Sequence, residues 1–123
     1  MTDYSKLTDS EINTLVARYC DIQIDEDGPF ILDYTNIDSA YFSDGEPVRI
    51  DFDPCSNASQ GLSILEENNI SLLSTDRGWT ATTDIDMSWL GVKVTGFEYT
   101  DARPFRAVMI VFLMLKEAEQ CTS

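Results

Sequence analysis

Residues Arg103 to Gln120, RPFRAVMIVFLMLKEAEQ, constrain this chain more than any other stretch. They read as one helix, with Pro104 well suited to its first turn. Ala107 to Leu115 carries no polar side chain. At about 1.5 Å per residue this run is far shorter than a bilayer core of roughly 30 Å. A helix outside a membrane that is apolar on all sides must be covered on all sides, by its own fold or by a partner. The segment therefore predicts the centre of a small core. Its face of Phe105, Ile110, Phe112 and Met114 also raises a second copy of the chain as a cover, in a two-fold dimer through this helix.

The rest of the chain supplies what such a helix packs on. Thr8-Asp9-Ser10-Glu11 is a capping box, with Leu7 and Ile12 as its hydrophobic staple. Ile12, Leu15, Val16 and Tyr19 then form one apolar stripe, and the helix is expected to end near Cys20 or Asp21. Asp25-Glu26-Asp27-Gly28-Pro29 reads as a turn and Phe30 to Tyr34 as a short strand. Ser39–Phe42 and Val48–Phe52 read as a hairpin around Ser43–Pro47. Val48, Ile50 and Phe52 alternate with Arg49, Asp51 and Asp53, as in a strand with one wet face. A second helix is predicted from Ala58 to Glu67, with Leu62 and Leu65 inward and Asn68-Asn69 as a left-handed stop. Ile70–Ser74 and Trp79–Thr83 form a hairpin about Asp76-Arg77-Gly78. Ile85 to Gly91 reads as loop, with Trp89 tucked in. Val92 to Tyr99 reads as a strand with a bulge at Gly96. The expected fold is α+β: one domain over residues 1–123, an antiparallel sheet of about four or five strands against two or three helices.

The chemistry is defined largely by what is missing. The 123 residues contain no histidine. That removes the commonest general base, the usual Ser-His and Cys-His pairs, and most zinc ligand sets. Cys20, Cys55 and Cys121 form no CxxC pair. The opening MTDYSKL has no basic region ahead of an apolar run, so a signal peptide is not expected and reduced thiols in the cytoplasm are. Cys55, near a helix start, would have a lowered pKa if exposed, and is otherwise a small buried residue.

Twenty-two acidic residues face eight basic ones, for a net charge of −14. Asp21, Asp25, Glu26, Asp27, Asp33, Asp38, Asp44, Glu46, Asp51 and Asp53 are opposed within their own stretch by Arg49 alone. Such a field repels nucleic-acid phosphates and favours a partner protein with a basic surface. Asp25, Glu26, Asp27, Asp33, Asp38, Asp44, Glu46 and Asp51 are the candidate partner-binding acids. In its sharpest form the surface is a DNA mimic, which requires them to lie on one face. Solubility alone is the plainer use of the same charge. Asp25–Gly28 lacks the ligand spacing of a calcium loop, since six residues after Gly28 stands Tyr34. Asp51-Phe52-Asp53 and Asp84-Ile85-Asp86 are D-x-D pairs that could hold a divalent ion or act as an acid/base couple. No phosphate cradle accompanies them, and neither a cofactor nor a catalytic residue is assigned. Arg106 either faces a carboxylate of the sheet or lies exposed on the first turn.

Pro104 to Met114, PFRAVMIVFLM, resembles the C-terminal signature of a family of small tailed-phage and enterobacterial prophage proteins of unknown function that includes the NinX-like proteins. Met1–Leu7 with Glu11-Ile12-Asn13, then Asp53-Pro54-Cys55, Asn69–Leu72 and Trp79-Thr80-Ala81, resemble it in the family's order. The resemblance implies cytoplasmic expression in an infected or lysogenic host and carries no catalytic residues with it. Together these readings point to a non-enzymatic phage accessory protein that binds a host or phage protein. A carboxylate-based metal protein or enzyme, and an oligomerising module, are the alternatives.

Overall fold

The structure is a computed structural model that describes residues 3–33, 47–83, 85–87, 90–94 and 96–121. A short 3-10 turn, Tyr4–Lys6, leads into α1 (Asp9–Tyr19). The capping box forms as its residues dictate. The Glu11 amide donates to Thr8 Oγ1 and the Thr8 amide donates to Glu11 Oε1, each at 3.1 Å. Ile12, Val16 and Ala17 of α1 are completely buried.

β1 (Gln23–Asp25), β2 (Gly28–Asp33) and β3 (Val48–Asp51) make one antiparallel sheet in that order. β1 is a strand where the sequence suggested only a turn. Its three residues are all exposed, so no alternation marks them. Glu26 and Asp27 form the two-residue turn, and Gly28 follows at φ +110°, a conformation glycine adopts without a Cβ penalty. β3 pairs with β2, Phe30 opposite Asp51 and Asp33 opposite Val48. Tyr34 and the expected Ser39–Phe42 strand lie outside the described residues.

α2 (Ala58–Glu67) follows, capped by Asn57, whose side chain accepts from the Gln60 amide at 3.1 Å. Its buried positions are Gly61 and Ile64, with Leu65 beside them, while Leu62 is exposed. Leu62 sits about 100° around the helix from Gly61, so a core stripe that runs through a glycine turns Leu62 outward. Asn69 takes φ 56° and ends the segment as expected.

β4 (Ser71–Thr75), β5 (Gly78–Thr82) and β8 (Glu98–Asp101) form a second antiparallel sheet, β5 in the middle. Between β5 and β8 a two-stranded ribbon pairs β6 (Ile85–Met87) with β7 (Val92–Val94), so part of the expected loop is strand. The expected continuous strand over Val92–Tyr99 is therefore two strands. They divide near Gly96, where the Phe97 amide donates to Thr83 Oγ1 at 2.8 Å. A Cβ on Gly96 would collide with that same hydroxyl. The α+β architecture matches the sequence reading, with the strands of the described residues shared between two three-stranded sheets and a ribbon.

α3 (Pro104–Cys121) packs on β5, β8, α1 and α2. Ala107 through Leu113 are at most 2% exposed. For Ala107 to Leu113 the cover is thus supplied by the chain itself, while Phe105 and Met114 are half-buried. Ile110 and Phe112, which suggested a dimer face, are part of that interior, and Tyr19 meets Phe112 edge-on at 6.2 Å. No helix among the described residues is long and apolar enough to cross a membrane.

Candidate functional site

The strand register decides which acids share a surface. Side chains of directly paired residues point to the same face of a sheet, and the face alternates along each strand. Gln23, Phe30 and Asp51 pair across the first sheet, so Asp25, Phe30, Leu32, Arg49 and Asp51 share a face. Asp33 pairs with Val48 and lies on the other face, at the far end of β2. Of the predicted surface, Asp25, Glu26, Asp27 and Asp51 are gathered around the β1–β2 turn, and Asp33 is separated from them. Asp38, Asp44 and Glu46 lie outside the described residues.

Two of these acids, Asp27 and Asp51, border a cleft of about 250 Å³ that they line with Asp53 on one side and with Asp9, Ser10 and Asn13 of α1 on the other. Local chemistry builds it. The Asn13 side chain is buried and donates to Asp53 Oδ1 at 2.8 Å, while its oxygen accepts from the Cys55 amide at 3.2 Å. The Asp53 amide donates to Gln60 Oε1 at 2.7 Å, and Gln60 donates back to the Asp51 carbonyl at 3.1 Å. The Ser56 and Asn57 amides donate to the Asp53 carbonyl, so Asp53 holds the turn that leads into α2. The D-x-D pair therefore has unequal members: Asp53 is tied to the fold, and the Asp51 side chain is 82% exposed.

The carboxylates of the turn are not all free. Arg49 holds Asp25 through two hydrogen bonds, at 2.5 and 3.1 Å, and reaches Asp51 at 3.5 Å. Hydrogen bonding from Arg49 keeps the Asp25 carboxyl below its ordinary pKa. No ion pair among the described residues engages Glu26 or Asp27. Likewise, among the described residues no three Cys, Asp or Glu side chains converge as metal ligands would. Asp84 lies outside the described residues.

Cys55 is 2% exposed, and its thiol is pushed up to about 12, first by burial and then by the nearby Asp9 carboxylate. Enclosed in the core with its thiolate disfavoured, Cys55 acts as a packing residue. Cys20 is half-buried and likewise raised by burial.

Arg106 takes the carboxylate-facing option. Its Nε lies 3.3 Å from Asp101 Oδ2 on β8, its Nη1 2.7 Å from Asp9 Oδ1, and its Nη2 donates to the Leu7 carbonyl at 2.7 Å. Arg103 pairs with the other Asp9 oxygen and donates to Ser56 Oγ at 2.7 Å. Burial raises the Asp9 carboxyl, but hydrogen bonds from Arg103 and Arg106 outweigh it and leave the pKa below the ordinary value.

The sequence reading missed Asp9 and Asn13 as walls of the cleft, because their partners lie 40 residues or more away. Asn13, a polar residue one step from the apolar Ile12 on α1, was the one available signal.

A family model described as "Bacteriophage P22, NinX" matches residues 3–116. No curated protein and no solved structure matches the chain.

Proposed function

This chain belongs to the phage P22 NinX family, and on that premise we propose that it is a non-enzymatic phage accessory protein. It acts in the cytoplasm of the bacterial host by docking its acidic turn on a basic surface of a host or phage protein. The observation that carries this reading is the grouping of Asp27 and Asp51 on the cleft, with Glu26 next to Asp27 in the turn and Arg49 as the local counter-charge. A net charge of −14 extends the attraction beyond the contact itself and speeds encounter at low salt. The absence of histidine from the sequence and the burial of Cys55 argue against histidine-based and thiol chemistry.

Ordinary electrostatic docking fits this arrangement better than mimicry of a nucleic-acid backbone. Asp33 faces away from the turn, and Asp25 is held by Arg49.

The test compares tagged wild type with a variant carrying Glu26→Gln, Asp27→Asn and Asp51→Asn, each used to capture protein from lysate of the bacterial host. A partner retained by the wild type, released by salt and lost from the variant is the expected result. Identical retention by both proteins would sink the reading.

A further inference from the structure

The face of the first sheet already holds one guanidinium, and the way it is held indicates what it can recognise. Arg49 lies over the Phe30 ring, its guanidinium carbon 4.3 Å from the centroid. Asp25 takes two of its N–H groups and Asp51 lies near a third. An aromatic floor with a two-oxygen carboxylate edge suits a planar, forked cation and fits a compact ammonium poorly. A groove of about 220 Å³ lined by Ile22, Gln23, Phe30, Ile31 and Leu32 borders the ring at this edge of the sheet.

The occupant is weakly committed. The Arg49, Asp25 and Asp51 side chains are 35%, 39% and 82% exposed, and exposed ion pairs add little to folding. Exchange of one guanidinium for another conserves the charge and contacts of the cradle. An incoming arginine attached to a basic surface would also meet Glu26 and Asp27, which Arg49 leaves unpaired among the described residues.

We propose that Asp25, Phe30 and Asp51 form an arginine-recognition cradle, in which Arg49 is a built-in occupant that an arginine of the docking partner displaces. The inference rests on the docking reading above and names the chemistry of the partner: arginine rather than lysine. Arg49 then acts as an internal competitor, which weakens capture of stray basic surfaces.

Calorimetric titration at low salt tests it, with an arginine-rich peptide and the same peptide carrying lysines as probes. Arg49→Ala adds one unit of negative net charge, which strengthens both peptides alike, so the arginine-to-lysine affinity ratio is the readout. That ratio is expected to rise about threefold in Arg49→Ala, the size of an exposed cation–π contact. Adding Phe30→Leu should return it to the wild-type value, and adding Asp25→Asn, which leaves the ring in place, should lower it as well. An unchanged ratio in Arg49→Ala overturns the cradle. So does a raised ratio that survives both second substitutions. An unchanged ratio together with a captured, salt-released partner removes the cradle and leaves the docking reading intact. A raised ratio with no captured partner removes docking and leaves a guanidinium site.

Discussion

Arg106 and Arg49 each hold two carboxylates, yet the fold uses them differently. Arg106 is 12% exposed and bridges Asp9 of α1 to Asp101 of β8, while its Nη2 donates to the Leu7 and Ser5 carbonyls. Arg49 is 35% exposed, bridges Asp25 and Asp51 within one sheet, and rests on an aromatic ring. Burial separates the two. A charge removed from water must be fully partnered, and deleting it leaves its partners stranded. A charge at the surface can be exchanged for solvent or for another cation at little cost. The first cluster therefore joins helices and sheet, and the second is available for recognition.

Substitution at the two arginines tests that contrast most strongly. Arg106→Ala should cost about 2–4 kcal/mol, since it removes the ion pair to Asp101, weakens the hold on Asp9 and takes the donor from the Leu7 carbonyl. Arg49→Ala should cost about 0.5 kcal/mol or less. Urea unfolding monitored by circular dichroism measures both, and equal losses would break the comparison.

Gly61→Ala examines the packed side from a different direction. Helix propensity alone favours alanine by about 1 kcal/mol. A Cβ there, however, would lie 2.5 Å from Phe105 Cδ1 and 2.9 Å from the Pro54 carbonyl oxygen. Overpacking of this kind costs about 1–3 kcal/mol, so a net loss of stability is expected. A thermal midpoint that rises would show that this region yields more readily than its burial implies.

Thr8→Ala removes a local device, the capping box, and should cost about 1 kcal/mol. Leu62→Asn on the exposed face of the second helix should change stability by less than about 0.5 kcal/mol. Paired chemical denaturation curves for the two variants check both values.

Acid titration gives the smallest and most specific effect. The folded Asp9 carboxyl has a pKa below the ordinary 3.8. A depressed folded pKa contributes stability that is fully present above the unfolded value and is lost as pH falls through the folded one. The stability difference between wild type and Asp9→Asn should be constant above about pH 5 and narrow below about pH 4. Asp25 is shifted in the same direction but lies at the surface, where solvent screens its partner, so Asp25→Asn should show a shallower version. A steeper acid dependence at Asp25 than at Asp9 would reverse the proposed assignment of roles.

What could be read from the chain follows interaction range. Thr8 and Glu11 satisfy one another across three residues, and Asn69 ends its segment by its own backbone preference. Gly78 reverses the β4–β5 hairpin on the same principle, at φ +127°. The family resemblance was legible for the same reason, being a run of adjacent residues. β1 was not legible, because three exposed residues bear no alternation until β2 pairs with them. Leu62 was misread as inward because apolarity was taken as a guide to direction, whereas the core stripe passes through Gly61 and Ile64. Of the candidate acids, composition revealed their abundance, but strand register placed Asp33 on the other face from Asp25 and Asp51.

The sequence by itself determined that α3 would be covered on every side, that histidine chemistry was excluded, and that the charge would be strongly negative. Those are properties of residue type and short spacing. Only the tertiary structure decided that Ala107 to Leu113 of α3 are covered by their own chain, that Asp9 joins two arginines nearly a hundred residues away, and that Arg49 sits on Phe30 between two carboxylates. Each of these depends on contacts between distant segments, whose geometry exists only once the hydrophobic core has fixed the helices and sheets in place.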